Sequence, residues 1–285
     1  MHPRATVIIP TFGNAPFVGW AIKSVQKQTV TDIEICVICD GSPEHMVRFL
    51  QQIAKEDGRI RVFTYPKSPR TGEPYRDIII RQASGKIICY CSHDDLWLPD
   101  HVREMEKSLK TCPFTHSLHA IVNLPEHIKS DMELLADVYW ISLKDEAIRD
   151  RMGGAENFFG LTFAAHGRES YNQLKEGWAT TPDLNIPTDL YMWKKFLSIY
   201  GHRCGTVTKI TALNFPQIIR KDRTEAQRDD ELKLFSDKIG DRAFSRRINR
   251  LALRFCPSRY ERAKRRTLGM PFRLLDFISS ALRYH

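Results

Sequence analysis

Lys86-Ile87-Ile88-Cys89-Tyr90-Cys91-Ser92-His93-Asp94-Asp95-Leu96-Trp97-Leu98-Pro99-Asp100 is an apolar run that breaks off at two adjacent carboxylates, after which a proline prepares a helix. A short run bounded in this way predicts a buried strand ending at Asp94. Neighbouring aspartates at the tip of such a strand repel each other and are costly to desolvate. A divalent cation, or a cation carrying a phosphate, would neutralise them. The plain alternative is that they cap the next helix in solvent.

The flanking segments set this stretch in a repeating frame. Residues 5–10 predict a strand closing at Pro10-Thr11, and residues 16–28 carry apolar positions at helical spacing. Residues 33–39 are a second strand closed by Asp40-Gly41-Ser42, residues 44–56 are helical, and residues 60–64 are a third strand. A Pro/Gly-rich loop over 65–74 leads into a helix ending near Ala83. Strands alternating with helices of this length imply right-handed βαβ units and a parallel sheet covered on both faces. Ligands bind beyond the carboxyl ends of such strands, which gathers Thr11, Asp40, Asp94 and Asp95 on one rim. Beyond Thr111 the signals weaken. Residues 117–124 read as a strand, 134–141 as a strand or buried helix, and 158–165 as a strand near the sheet edge. Residues 187–200 read as a helix and 205–215 as a last strand.

With 285 residues, 42% hydrophobic and 27% charged, the chain suits one large globular domain with an appendage. No apolar run approaches the roughly 20 residues that cross a bilayer, and Met1-His2-Pro3-Arg4 is not expected to open a leader peptide. The seven cysteines include Cys36-x-x-Cys39 without a second pair at ligand spacing, and read as small buried hydrophobes in a reducing compartment. Charge divides the chain. Residues 1–215 hold 25 Lys/Arg and 25 Asp/Glu, whereas 216–285 hold 18 against 9 and so carry the whole net +9. A neutral domain over 1–215, in halves 1–110 and 111–215, and a basic helical extension over 216–285 are therefore expected.

Pro10-Thr11, Asp40-Gly41-Ser42 and Asp94-Asp95, with Gly72-Glu73-Pro74-Tyr75-Arg76-Asp77 between the last two, agree in order, spacing and strand context. Together they resemble the nucleotide-sugar-binding half of inverting GT-A glycosyltransferases of family 2, closely over 5–110 and loosely over 155–222. The family pattern is Pro-Thr or Pro-x-Tyr-Asn, then Asp-Gly-Ser, a Gly-x-x-x-Ala-Arg-Asn helix start, and Asp-x-Asp-Asp. The resemblance implies an α/β GT-A fold: a single Rossmann-like, mostly parallel sheet flanked by helices. Residues 1–110 would bind the nucleotide sugar and 111–215 the acceptor. By position, it implies that Pro10 and Thr11 contact the nucleobase or ribose and that Asp40 accepts from the base imide N–H. Arg76 would pair with the base or a phosphate, Asp94 would hold the ribose or the metal, and Asp95 would bind the Mg2+ or Mn2+ bridging the diphosphate. Three residues depart from the pattern: Ser92 replaces its first aspartate, Asp77 its asparagine, and His93 fills the variable place.

Inverting transfer is an in-line displacement, so a carboxylate must take the acceptor's proton. The family carries it in a Glu-Asp at a helix start. Pro187-Thr188-Asp189-Leu190-Tyr191-Met192-Trp193 fits, with Thr188 for the glutamate, so Asp189 is the candidate base and Asp183 the second choice. On a plain reading Asp189 simply caps that helix. His93 and Trp178 are candidate acceptor contacts, the indole by stacking on a sugar face or, equally, by anchoring the core.

In the extension, Phe244, Ile248, Leu251 and Phe255 form a stripe among arginines, and Phe272, Leu275, Ile278 and Leu282 repeat it. Such faces over 241–285 suit an anionic membrane surface, or pack on the domain with the arginines in solvent. No nucleic-acid motif accompanies the charge. The sequence thus points to a metal-dependent inverting glycosyltransferase using a UDP- or dTDP-linked sugar and a saccharide or lipid-linked acceptor, in cell-surface polysaccharide synthesis. It would be cytoplasmic or peripheral on the membrane's cytoplasmic face. The alternatives are a catalytically weakened sugar-nucleotide-binding or scaffold protein tethered by its tail, which Ser92 leaves open, and a nucleotidyltransferase, whose Gly-rich phosphate loop residues 10–14 lack.

Overall fold

The inner N-terminal strands are buried along nearly their whole length because both faces of their sheet are covered, and the third strand, at the sheet edge, is exposed at Arg61 and Thr64. The structure, a computed structural model, describes residues 2–256, so the stripe over 272–282 lies outside the described residues. Strands β1 (Ala5–Phe12), β2 (Ile33–Asp40), β3 (Ile60–Tyr65) and β4 (Ile87–Tyr90) alternate with helices α1 (Val18–Gln26), α2 (Glu44–Glu56) and α3 (Glu73–Gln82). The strands pair in parallel, with Val7 between Ile35 and Cys89 in register. Residues 5–9 and 35–40 are all buried.

The remainder comprises β5 (Leu96–Trp97), α4 (His101–Leu109), β6 (Phe114–Ser117), β7 (His119–Val122), β8 (Leu135–Tyr139) and α5 (Glu146–Gly153). It continues with β9 (Ala164–Gly167), α6 (Arg168–Asn172), α7 (Thr188–Tyr200), β10 (Gly205–Val207), β11 (Ala212–Leu213), α8 (Glu225–Ile239) and α9 (Arg242–Ala252). The main sheet has seven strands in the order β10-β6-β9-β4-β1-β2-β3, and two small antiparallel sheets, β11–β5 and β7–β8, stand apart. The mostly parallel α/β architecture is the expected one.

Several boundaries differ from the sequence reading. The strand expected at 158–165 near a sheet edge is β9, and it lies inside the sheet, antiparallel to both β4 and β6. Phe158, Phe159 and Phe163 are apolar because they are buried before and within a short 3-10 turn, not because they pair. The strand expected over 205–215 splits into β10 and β11 of different sheets. The quoted strand stops at Tyr90. Residues 92–95 then form a turn closed by the Asp95 N–H on the Ser92 carbonyl at 3.2 Å, and β5 follows. The aspartates therefore neither tip a strand nor cap α4, whose N-cap is Asp100.

One apolar cluster surrounds the main sheet. A second joins Leu96, Leu118, Leu213 and Phe215 to Leu232, Phe235 and Ile239 of α8 and to Phe244, Ile248 and Leu251 of α9. The charge boundary at 215 is thus not a packing boundary. The first stripe of the extension, Phe255 included, is taken up by this cluster and not offered to a membrane. Its arginines, Arg242, Arg246 and Arg250 among them, stay exposed. All seven cysteines are free of disulfides. No helix among the described residues is long and apolar enough to cross a membrane.

Candidate active site

A cavity of about 330 Å3 opens at the carboxyl ends of β1 and β4. The end of β1 contributes Pro10, Thr11 and Phe12, and the turn after β4 contributes Ser92 and His93. Arg70, Thr71 and Arg76 come from the entry to α3, and Thr188 and Asp189 from the start of α7. Five residues singled out in the sequence (Pro10, Thr11, Arg76, His93 and Asp189) are brought together here.

Asp189 lies in the first turn of α7 and makes no cap, since the N-cap is Pro187. Its Oδ1 accepts from Asn157 Nδ2 at 3.0 Å and from the Leu190 N–H at 2.9 Å. Among the described residues no hydrogen bond reaches Oδ2. Burial pushes this carboxyl above the ordinary carboxylate range, and its hydrogen bonds and Arg76 only partly oppose that. Asp183 is exposed, accepts from the Asn185 N–H at 2.8 Å, and does not line the cavity.

Arg76 is buried. One Nη donates to Thr71 Oγ1 at 2.8 Å, while Nε has no partner. Its guanidinium lies 4.2 Å from the centre of the Trp178 ring. That indole is buried and donates to Tyr90 Oη at 2.9 Å, so Trp178 backs the arginine and offers no face to a sugar. His93 lines the cavity but is wedged between aromatic rings, edge-on to Phe12 at 5.3 Å and stacked on Phe17 at 5.7 Å. Phe12, half exposed at the cavity mouth, escaped the sequence reading. Its signal was the aromatic place in Pro-x-Tyr-Asn, two residues after Pro10.

Asp40 does not line the cavity. Its carboxylate is buried and accepts from the Ser68 N–H, from Ser68 Oγ at 2.9 Å and from Lys67 Nζ at 2.7 Å. Ser68 Oγ in turn accepts from the Gly72 N–H at 2.8 Å, and Gly72 sits at φ +81° with no room to spare, since a Cβ there would lie 3.3 Å from Asp40 Cβ. The carboxylate expected to meet a nucleobase instead ties the loop before α3 to the end of β2.

Asp95 is buried with both oxygens occupied. Oδ1 accepts from Asn214 Nδ2 at 2.9 Å and from the Phe215 N–H at 3.0 Å, and Oδ2 accepts from the Thr162 hydroxyl. Burial and the charge of Asp94 push its carboxyl up to about 7. Asp94 is held by Arg228 of α8, with Nη2 2.9 Å from Oδ2. Burial opposes its ionisation, but His93 and Arg228 outweigh it and bring the carboxyl below the ordinary value. A Mg2+ or Mn2+ ion at a nucleotide site is held by one or two carboxylates together with waters and substrate phosphates. Asp95 has no free oxygen, Asp94 is already paired, Ser92 is neutral, and neither aspartate lines the cavity. No group of three or more His, Cys, Asp or Glu side chains that could hold a metal occurs among the described residues. The residues present do not fit the expected ion.

Comparison with known proteins agrees with this architecture. The chain is 32% identical over 93 residues to a GalNAc(5)-diNAcBac-PP-undecaprenol beta-1,3-glucosyltransferase of Campylobacter jejuni, covering 33% of this chain and 30% of that one. It is 24% identical over 176 residues to a chondroitin synthase of Pasteurella multocida, covering 61% and 18%. It therefore spans a third or less of these relatives. Among solved structures, S. aureus TarS 1–349 in complex with UDP-GlcNAc superposes with a TM-score of 0.56 at 15% identity, covering 81% of this chain and 71% of TarS. The mannosyltransferase PcManGT of Pyrobaculum calidifontis, in complex with GDP-Man and Mn2+, gives 0.51 at 17% identity, covering 100% and 81%. These likenesses establish the GT-A fold. The family model described as Glycosyl transferase family 2 matches residues 6–173, more than half of the chain, and the chain belongs to that family.

Proposed function

We propose that this glycosyltransferase moves a sugar from a nucleoside diphosphate sugar to an acceptor hydroxyl with inversion, and that Asp189 is its base. The observation that carries this reading is the pairing, in one cavity, of a carboxylate with an open oxygen and a buried guanidinium that lacks a full set of partners. The acceptor oxygen attacks the anomeric carbon as its proton passes to Asp189 Oδ2. The bond to the diphosphate oxygen breaks on the opposite side. A buried, incompletely satisfied guanidinium favours an anion, so Arg76, with Arg70 beside it, meets the charge growing on the leaving diphosphate. Phe12 offers a flat apolar face to the nucleobase next to Thr11.

The named relatives support the substrate classes. TarS is known with UDP-GlcNAc, the Campylobacter enzyme is named for an undecaprenol-linked substrate, and the Pasteurella one for a polysaccharide. We therefore assign a UDP- or dTDP-sugar donor and a lipid-linked or saccharide acceptor, used at the cytoplasmic surface of a membrane, with Arg242, Arg246 and Arg250 toward anionic headgroups. Nucleotide release from a panel of UDP-, dTDP- and GDP-sugars, by the chain and by Asp189→Asn, tests the reading. Release by the first and not the second is expected. Equal release by both would remove Asp189, and no nucleotide binding at all would leave a scaffold.

A further inference from the structure

We propose that the guanidinium of Arg228 does for Asp94 what a divalent ion was expected to do, so that the chain binds its donor without a metal. The pair is built in. Arg228 is buried, donates through Nη2 to Asp94 Oδ2 at 2.9 Å, and through Nη1 to Gln217 Oε1. Its guanidinium lies 4.7 Å from the centre of the Phe17 ring, which itself stacks on His93. An incoming Mn2+ would have to displace a guanidinium pinned on three sides and leave it buried without its counter-charge, a strongly unfavourable exchange. It would also find no second carboxylate, because Ser92 is neutral and Asp95 is enclosed by Thr162, Asn214 and Phe215. The positive charge toward the cavity comes instead from Arg76 and Arg70. Arg228 is thus a positioning residue: it settles the charge of Asp94 behind the cavity wall. It reaches the turn from 134 positions away in the chain, and so α8 belongs to the site's architecture.

The part of this proposal that concerns the donor rests on the function proposed above, and the part that concerns the metal does not. Mn2+ is titrated into the full-length chain, with and without UDP, and followed by electron paramagnetic resonance. Nucleotide release is measured in excess EDTA and in excess Mn2+. The free Mn2+ signal is expected to match that of buffer, or of UDP alone, and the two release rates to agree within about tenfold. A metal worth several kcal/mol to the leaving group would open a far wider gap. A Mn2+ site titrating with the chain, or a gap above about tenfold, overturns the proposal. With UDP present to supply phosphate oxygens, Arg228→Gln frees Asp94 and is expected to gain Mn2+ bound to the chain, whereas Arg228→Lys keeps the charge and is expected not to. A folded Arg228→Gln chain that binds none overturns the role of Arg228. If neither variant folds, or no donor is turned over, the titration of the unmodified chain still decides.

Discussion

Asn157 donates to Asp189 at 3.0 Å, and with the Leu190 N–H it holds one carboxylate oxygen so that the other is left open. The asparagine precedes the 3-10 turn and the aspartate opens α7, so their contact fixes the base against the wall of the cavity.

Asp189→Asn is expected to lower kcat by about a hundredfold to ten-thousandfold, the range for losing a general base, with UDP affinity unchanged by calorimetry. Because burial raises the pKa of Asp189, kcat/KM should climb with pH through a value above the ordinary carboxylate range. Asn157→Ala removes a bond that favours the charged form, so the acid limb should move to still higher pH. An unmoved limb would show that the asparagine only packs.

Arg76→Met should weaken UDP binding by about 1.5–3 kcal/mol, the worth of a hydrogen bond to a charged group. Thermal stability should fall only modestly, because the change removes a buried charge whose Nε has no partner but also takes a counter-charge from buried Glu73. A large drop in melting temperature with unchanged UDP affinity would make Arg76 a structural residue.

Asp95→Asn should retain transfer activity within about tenfold, since among the described residues the side chain bonds only to Thr162, Asn214 and Phe215. The wild-type carboxyl is raised from 3.8 to about 7 in the fold. A group raised in this way contributes stability that is present below its unfolded pKa and is lost as pH rises through the folded value. Denaturation midpoints of the wild type should therefore fall between those two values, and the variant should flatten that slope. Abolished activity in a folded, stable variant would return Asp95 to the metal-binding role.

Phe12→Ala should weaken nucleotide binding by about 1–3 kcal/mol, the range for stacking a base on an aromatic ring. The ring is half exposed, so stability should change by less than about 0.5 kcal/mol. Equal UDP affinity for both chains would sink the stacking role.

Arg220 and Glu231 form a fully buried two-point ion pair, at 2.9 and 2.7 Å, and Arg220 also donates to the Val122 carbonyl at 3.1 Å. Glu231→Gln leaves the guanidinium without its charge partner and should cost about 3–5 kcal/mol in urea denaturation. Replacing both partners by apolar residues should recover part of that loss. A cost near zero would mean that α8 is only loosely attached.

Sequence alone determined the parallel sheet and the rim of strand ends, because buried strands and amphipathic helices announce themselves by period and βαβ connections have one hand; Arg76 and Asp189 joined Thr11 only through the family resemblance. The sequence put Ser92 and His93 at the end of a strand, where the structure has a turn beside the cavity. It did not determine where the carboxylates point. Asp40, Asp94 and Asp95 carry the chemistry of a cation site in their types and order. Tertiary structure spends them on Lys67 and Ser68, on Arg228, and on Thr162, Asn214 and Phe215. Those partners lie 27 to 134 positions away along the chain. A buried carboxylate must find donors somewhere, and which donors reach it is set by long-range packing that no local pattern records.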